Sequence, residues 1–442
     1  MKTTSIRRWL LFCSVLFAVN TCIQAEESKA TLTLTSPMSC QVFQRSKGDT
    51  ADILIEGTVS AKADVIEAKA DLVPGAKRGT SVKWIAVTPQ GQIVQGKVSG
   101  RLTLLAGGWY QVTVRARLGT RIIAEQTVGK VGVGEVFITA GQSNSANYGN
   151  PRQEAHDDRV VYYDGKSFVH AKDPIPGGCG DGGSPWALLG DRITASQQVP
   201  VCFRSASLTW TEVSNWLPGT ALYKNLLACV KVFGKDGVRA VLWHQGESDT
   251  LVKTSAETYY DRMKTIVETL NKDSGYEIPW FVAQASFHPG SQAREQAQVA
   301  KGQQLLWARK ICGQGPVTDD LLGPEYRHDG VHFNQKGLAQ HAARWFDALS
   351  TTFNAPRVGS AFAATEPTWI DAYNVVWDSQ SADARGSMPI GGGNLGLNIW
   401  VEKDELFIYF GSPDSWSYRG KGFNTQMQTK LGRLRLKFTP VA

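Results

Sequence analysis

The sequence predicts an α/β protein with a β-sandwich ahead of it and further β-structure behind. Three observations carry this. Residues 30–133 hold short runs in which polar and apolar positions alternate, the period of a half-buried strand. From 134 to 350, apolar runs of strand length alternate with helical patterns, as in a parallel sheet with crossover helices. After about residue 370 the strand-like pattern returns.

The chain opens with Lys2, Arg7 and Arg8, an apolar stretch over Trp9–Val19, and Ile23-Gln24-Ala25 before Glu26. This is the layout of an export leader over residues 1–25, with an apolar core too short to span a bilayer. A secreted or periplasmic protein is expected, with no membrane contact after leader removal. At 442 residues with 42% hydrophobic and 20% charged side chains, the chain is globular and long enough for about two to four domains. Net charge is +7, but three of those charges lie in the leader, and the four left are too few to argue for nucleic acid as a partner. Beyond the leader stand Cys40, Cys179, Cys202, Cys229 and Cys312, an odd set with no Cys-x-x-Cys spacing. A cysteine metal site is therefore not expected, and the spacing leaves disulfide pairing open.

Thr31–Thr35, Ile53–Ile55, Val82–Val87 and Trp109–Arg115 alternate in period two and are separated by Gly, Pro and Lys turns. An immunoglobulin-like β-sandwich over 30–133 fits this spacing, read as a packing domain in preference to a carbohydrate-binding module. In the 134–350 segment the strand candidates are Val136–Ala140, Val199–Ala206, Val238–Trp243 and Ile278–Ala285. Thr254-x-x-Glu257 has the form of a capping box, opening a helix through Tyr260, Met263, Ile266, Val267 and Leu270 that closes at Asn271 and Gly275. Further helices fit Ala293–Lys310 and Gln335–Leu349. A linker over 351–369 leads to a partial β domain over 370–442, with strands at Glu405–Phe410 and Leu431–Phe438. Its Gly391–Gly396 run lacks the Lys and Ser/Thr of a phosphate loop and reads as a turn.

The chemistry gathers in three short blocks. Val136-Phe-Ile-Thr-Ala-Gly-Gln-Ser-Asn144 is a buried strand running into a tight corner, and Ser143 at that corner is the candidate nucleophile. It is not the Gly-x-Ser-x-Gly elbow, since Ser145 replaces the last glycine. A serine hydroxyl attacks only when a base accepts its proton and a third group orients that base. Asp329-Gly-Val-His332 offers both, three residues apart around a glycine. Between them, Trp243-His-Gln-Gly-Glu-Ser248 ends a second apolar strand, and Gln245 can offer a side-chain amide to a developing oxyanion.

In this order the three blocks resemble the SGNH (GDSL-like) hydrolases, and within them the sialic-acid-specific acetylesterase-like carbohydrate esterases. The C-terminal piece resembles the N-terminal β-domain of bacterial glycoside hydrolases. The first resemblance implies a three-layer α/β/α parallel sheet and a catalytic group of Ser143, Asp329 and His332. It implies an oxyanion hole from the Ser143 amide, a backbone amide at Thr209 and the side chain of Gln245. Thr209 and Trp210 stand where the family has two glycines. His332 is preferred over His328 as base, and His244 reads as structural. Asn144 and Glu247 are expected to brace the corner, and Gln142, Trp210 and Trp216 to contact substrate, with Trp186 a further stacking candidate. No metal or cofactor is called for.

The reading is thus an exported carbohydrate O-acetylesterase acting on an acetylated saccharide through an acetyl-enzyme. Its rivals are a catalytically decayed glycan-binding protein and an esterase of non-carbohydrate acyl esters.

Overall fold

The computed structural model describes residues 30–88, 93, 96–350, 353, 388–392, 395–402, 405–418 and 426–437. The expected leader, and the expected linker apart from residue 353, lie outside these residues. The chain divides into two compact units, Met1–Ser360 and Ala361–Ala442.

The first unit begins with strands β1 (Leu32–Ser36), β2 (Val42–Gln44), β3 (Thr50–Val59), β4 (Val65–Leu72), β5 (Val82–Ala86), β6 (Lys97–Leu105), β7 (Tyr110–Leu118) and β8 (Arg121–Gly141). One sheet runs β1-β3-β6, all antiparallel; β5, β4, β7 and the start of β8 form the other. Ile53, Ile55, Leu102, Val112 and Val114 are fully buried in a single core with Ile66 and Ala68. Period-two alternation in the sequence produces this sandwich because each strand has one dry face.

Strand β8 does not stop at the edge of the sandwich. Its first half alternates between exposed and buried positions while pairing antiparallel with β7, and its last eleven residues are all buried. Here it pairs parallel with β11 (Val201–Ser205) on one side and β12 (Ala240–His244) on the other. Continuous burial is what a strand covered on both faces requires. A boundary drawn at residue 133 therefore falls inside one strand.

The parallel sheet is completed by β9 (Val160–Tyr163), β13 (Trp280–Gln284) and β14 (Gly313–Val317), with β10 (Phe168–His170) antiparallel at one edge, in the order β10-β9-β11-β8-β12-β13-β14. Helices α1 (Trp186–Gln197) and α6 (Gln335–Leu349) cover one face, where Ile193, Trp186 and Trp345 meet Phe137, Phe203 and Leu242. Helices α2 (Ala221–Lys231), α4 (Ala256–Ser274) and α5 (Ala293–Ala308) cover the other, where Leu226, Met263 and Val299 meet Val136, Ile138 and Trp243. A one-turn helix α3 (Glu247–Leu251) follows β12. The result is a three-layer α/β/α sandwich, as expected.

Two local expectations change. The cap of α4 is Ser255, whose side chain accepts from the Thr258 amide, whereas Thr254 Oγ1 donates to Asp249 Oδ1 at 2.7 Å. The buried carboxylate outcompetes the helix end for Thr254. Strand β14, Gly-Gln-Gly-Pro-Val, carries little apolar signal of its own and is held by pairing with β13.

In the second unit, β15 (Met388–Gly392), β16 (Leu395–Glu402), β17 (Glu405–Tyr418) and β18 (Gln426–Lys437) form an antiparallel meander. Trp400 is buried there, stacked on Phe407 with centroids 5.1 Å apart. No helix among the described residues is long and apolar enough to cross a membrane.

Candidate active site

Strand β8 sits at the middle of the sheet, and the chain leaves it first toward β11 and later toward β12. The crevice above its carboxyl end is the position where open α/β sheets bind ligands. Gly141 closes the strand at φ +130°, and a Cβ there would lie 2.0 Å from the His244 carbonyl oxygen. Only glycine lets β8 and β12 end this close together. Ser143 to Ser145 then form one 3₁₀ turn. The turn is pinned from below: Ser145 Oγ donates to Ala140 O at 3.1 Å, and Trp186 Nε1 donates to Ser145 O at 2.9 Å. The amides of Ser143 and Asn144, first in the turn, take no hydrogen bond among the described residues, as expected at the start of a helical turn.

Between β14 and α6 the chain makes the histidine loop. His332 Nδ1 and Asp329 Oδ2 are 2.6 Å apart, and Asp329 Oδ1 accepts from the amides of Val331 (2.8 Å) and His332 (2.7 Å). Partial burial works against the Asp329 charge. The His332 amide and ring and the Val331 amide outweigh it and hold the carboxyl down at about 2. With Nδ1 engaged, Nε2 is the ring nitrogen left to act as base. Arg327 props the loop: its buried guanidinium donates to Leu321 O at 2.7 Å and to Val331 O, and packs on Phe333 and Phe287. Asn334 caps α6 by accepting from the Gly337 amide, so the helix begins where the loop ends.

Asn144 joins the two blocks. Its Nδ2 donates to Glu247 Oε1 at 3.0 Å and to Val331 O at 3.3 Å, so the residue after Ser143 touches the residue before His332. The Ser143 hydroxyl and the His332 ring share no hydrogen bond among the described residues. Glu247 is buried. Burial raises its pKa, but the His244 and Asn144 side chains more than compensate and the net direction is down. Behind it, His244 packs against His341 at 4.6 Å, and burial drives the His341 pKa far down, leaving that ring neutral.

Several expected contacts go elsewhere. Gln245 is fully buried, and its Nε2 donates to Asp249 Oδ2 (2.6 Å), Thr211 O (2.9 Å) and Gln142 Oε1 (3.3 Å). It faces the protein, not a substrate, because Asp249 is a buried carboxylate that needs donors. Gln142 likewise accepts from the Ser248 amide at 3.1 Å and the Gly246 amide at 3.4 Å, bracing α3 rather than contacting substrate. Trp216 has no exposed surface; it donates to Thr211 Oγ1 and meets Trp243 edge-on in the core. Trp186 is equally buried. Thr209 sits at the cleft, but its amide donates to Cys179 Sγ at 2.9 Å. Trp210 alone of the named tryptophans is open to solvent, at 72% exposure.

His328 Nε2 lies 3.1 Å from Tyr148 O, at the rim. His328, Asp329 and His332 place ligand atoms within 4.8 Å of one another, but Asp329 and His332 already hold each other. His244 is buried away from them, so the three histidines do not converge. Sequence reading passed over Tyr148, Cys179 and His288, which no motif marks. Tyr148 packs its ring 5.1 Å from His332.

A family model described as carbohydrate esterase, sialic acid-specific acetylesterase, matches residues 133–351. This segment belongs to that family. Residues 376–442 match a domain of unknown function, DUF5703. The chain is 26% identical over 166 residues to a probable carbohydrate esterase of Arabidopsis thaliana, covering 31% of this chain and 64% of the relative. The chain thus spans under two thirds of that relative's length. Among solved structures it is similar to a carbohydrate acetylesterase from Xanthomonas citri, at 16% identity and a TM-score of 0.47, over 88% of this chain and 84% of the other. It is also similar to a protein from Arabidopsis thaliana, at 20% identity and a TM-score of 0.41, over 50% and 98% of the two chains.

Proposed function

We propose that the protein is an exported carbohydrate O-acetylesterase that hydrolyses acetyl esters on sugar hydroxyls. The observation that carries this is the Asn144 bridge, which ties a serine at the β8 corner to a histidine whose Nδ1 is held by an aspartate. In this reading Ser143 Oγ attacks the acetyl carbonyl carbon while His332 Nε2 accepts its proton. The carbonyl oxygen gathers negative charge and is met by the free amides at the start of the 3₁₀ turn. The tetrahedral species collapses, the C–O bond to the sugar breaks, and His332 returns the proton to the departing sugar hydroxyl. Water, deprotonated by the same nitrogen, then attacks the acetyl-enzyme and acetate leaves. Asp329 keeps His332 in the right tautomer and balances the charge it gains in each step.

A second reading has a specific observation behind it. The Thr209 amide and the Gln245 side chain, both expected in the oxyanion hole, are bonded within the protein. A glycan-binding protein with decayed catalysis would show such a site. Acetate release from 4-nitrophenyl acetate and from a panel of O-acetylated glycans separates the two. Turnover by wild type that is lost in Ser143→Ala supports the esterase and identifies the sugar; turnover that survives the substitution removes Ser143 from the reaction. Retained glycan binding without turnover in wild type establishes the second reading. Preference for longer acyl chains over acetylated sugars would point to a general acyl esterase.

A further inference from the structure

Trp210 is the most exposed of the large hydrophobic side chains described. It also adopts φ +55°, the left-handed region, where a bulky residue is strained. Burial does not offset that strain, since the indole stands in solvent. The loop is nevertheless well held. The Leu208 amide donates to Gly141 O at 2.9 Å, two residues before Ser143, and Thr211 Oγ1 donates back to Leu208 O at 2.8 Å. A strained, solvent-facing tryptophan on a firm loop contributes to something other than folding.

Across from it stands His288, on the loop after β13, with ring centroids 6.3 Å apart and planes inclined at 58°. The Gly290 amide donates to His288 Nδ1 at 3.0 Å, so the neutral ring carries its hydrogen on Nε2. Partial burial lowers the His288 pKa; the Glu247 charge opposes this, the charges of His332 and Arg327 add to it, and the net direction is down. With Nδ1 taken up by the Gly290 amide, the Nε2–H remains a donor. His288 belongs to the Ser143 cleft: its neighbour Phe287 is clamped by the Arg327 guanidinium together with Phe333, the residue after His332.

We propose that Trp210 and His288 form a sugar platform at the mouth of the Ser143 cleft. The indole takes the apolar C–H face of a pyranose ring, and His288 Nε2–H donates to one of that ring's hydroxyls. An aromatic face with a single directed donor is the pairing such a ligand needs, apolar on its faces and polar around its edge. The proposal rests on the carbohydrate-esterase reading and deepens it: it names the part of the site that recognises sugar as distinct from ester.

The test uses the full chain with Trp210→Ala, Trp210→Phe, His288→Ala and His288→Gln. Each is assayed on 4-nitrophenyl acetate and on O-acetylated xylo-, manno- and chito-oligosaccharides. The ratio of kcat/KM on the preferred oligosaccharide to that on the aryl ester is expected to fall about tenfold in each alanine variant, through KM. Phe and Gln, which restore the ring face and the donor, should recover most of it. An unchanged ratio, a loss of kcat equal on both substrates, or a wild type with no preference for any oligosaccharide overturns the platform. If wild type hydrolyses neither substrate class, the esterase reading fails by itself. Calorimetric titration with the same oligosaccharides then decides the platform: binding lost in Trp210→Ala upholds it, while equal binding or none by wild type overturns it.

Discussion

Gln245 gives its side-chain amide to Asp249 at 2.6 Å, a bond made inside the protein rather than toward the cleft. Asp249 is completely buried; its oxygens also accept from Thr254 Oγ1 and the Val213 amide, and burial leaves its pKa raised. Gln245 is thus one support of the loop that carries Thr211 and Val213. Removing it leaves a buried carboxylate short of a donor, at a cost of about 1–3 kcal/mol. Gln245→Ala should therefore lower the denaturant midpoint together with activity. A variant that lost kcat at full stability would restore Gln245 to the oxyanion hole.

Asn144 is the link between corner and loop. In Asn144→Ala the Glu247 carboxylate loses a donor and Val331 O loses its tie to the serine turn. A supporting contact of this kind is worth about 10–100-fold in activity, and kcat should carry the loss. Equal kcat in wild type and Asn144→Ala would mean that Arg327 alone holds the loop.

Asp329 sets the pH behaviour. Its folded pKa, about 2, lies below the value of about 3.9 for a free aspartate. A depressed carboxyl stabilises the fold at pH values above the unfolded pKa, and that stabilisation fades as pH falls through the folded one. The window of loss is therefore about pH 4 to 2, and the His332 pairing persists above it. Asp329→Asn should reduce kcat by on the order of 10³–10⁴-fold, as expected when the tautomer is wrong. It should also lessen the loss of stability across that acid window, where Asp157 and Asp320 still titrate, and thermal melts of both proteins from pH 5 to 2 would reveal the difference.

Glu135, in β8, joins the sandwich to the parallel sheet. It is fully buried and pairs with Arg45 at 2.7 Å and Arg239 at 2.6 Å. Breaking a buried ion pair from one side costs about 3–5 kcal/mol, so Glu135→Gln should be strongly destabilised. Calorimetry of the chain ending at 350 should show the sandwich and the α/β layers melting in one transition. Two separate transitions would contradict the coupling through β8.

Gly141→Ala tests the corner itself. The added Cβ meets the His244 carbonyl oxygen, which is backbone and cannot rotate away. Strain of about 3 kcal/mol is expected at this φ, with activity lost even where folded protein is recovered. Wild-type activity in this variant would show that the serine corner tolerates a wider gap between β8 and β12.

Much of the fold was legible in the chain because it depends on local periodicity. Gln335–Leu349 is helical over the expected span, since its apolar positions recur on one face and Asn334 caps it. Two of the three chemical blocks fell on strand ends, because a buried apolar run followed by Gly-Gln-Ser or His-Gln-Gly can hardly lie anywhere else; the third, Asp329 to His332, lies on the loop between β14 and α6. Strand β14 escaped notice, since its pairing comes from β13 and not from its own residues.

What the sequence alone determined, then, was the order of elements and the nearness of Asp329 to His332, both properties of short chain segments. Only the tertiary structure decided which polar groups face substrate. Gln142, Gln245 and Trp216 have the chemistry of site residues, yet each is drawn inward by a buried partner: the α3 amides, Asp249 and Trp243. His288, unmarked by any motif, stands beside Trp210 because the loops after β11 and β13 meet above the sheet. Burial and hydrogen-bond competition are properties of the assembled protein, and no spacing in the chain encodes them.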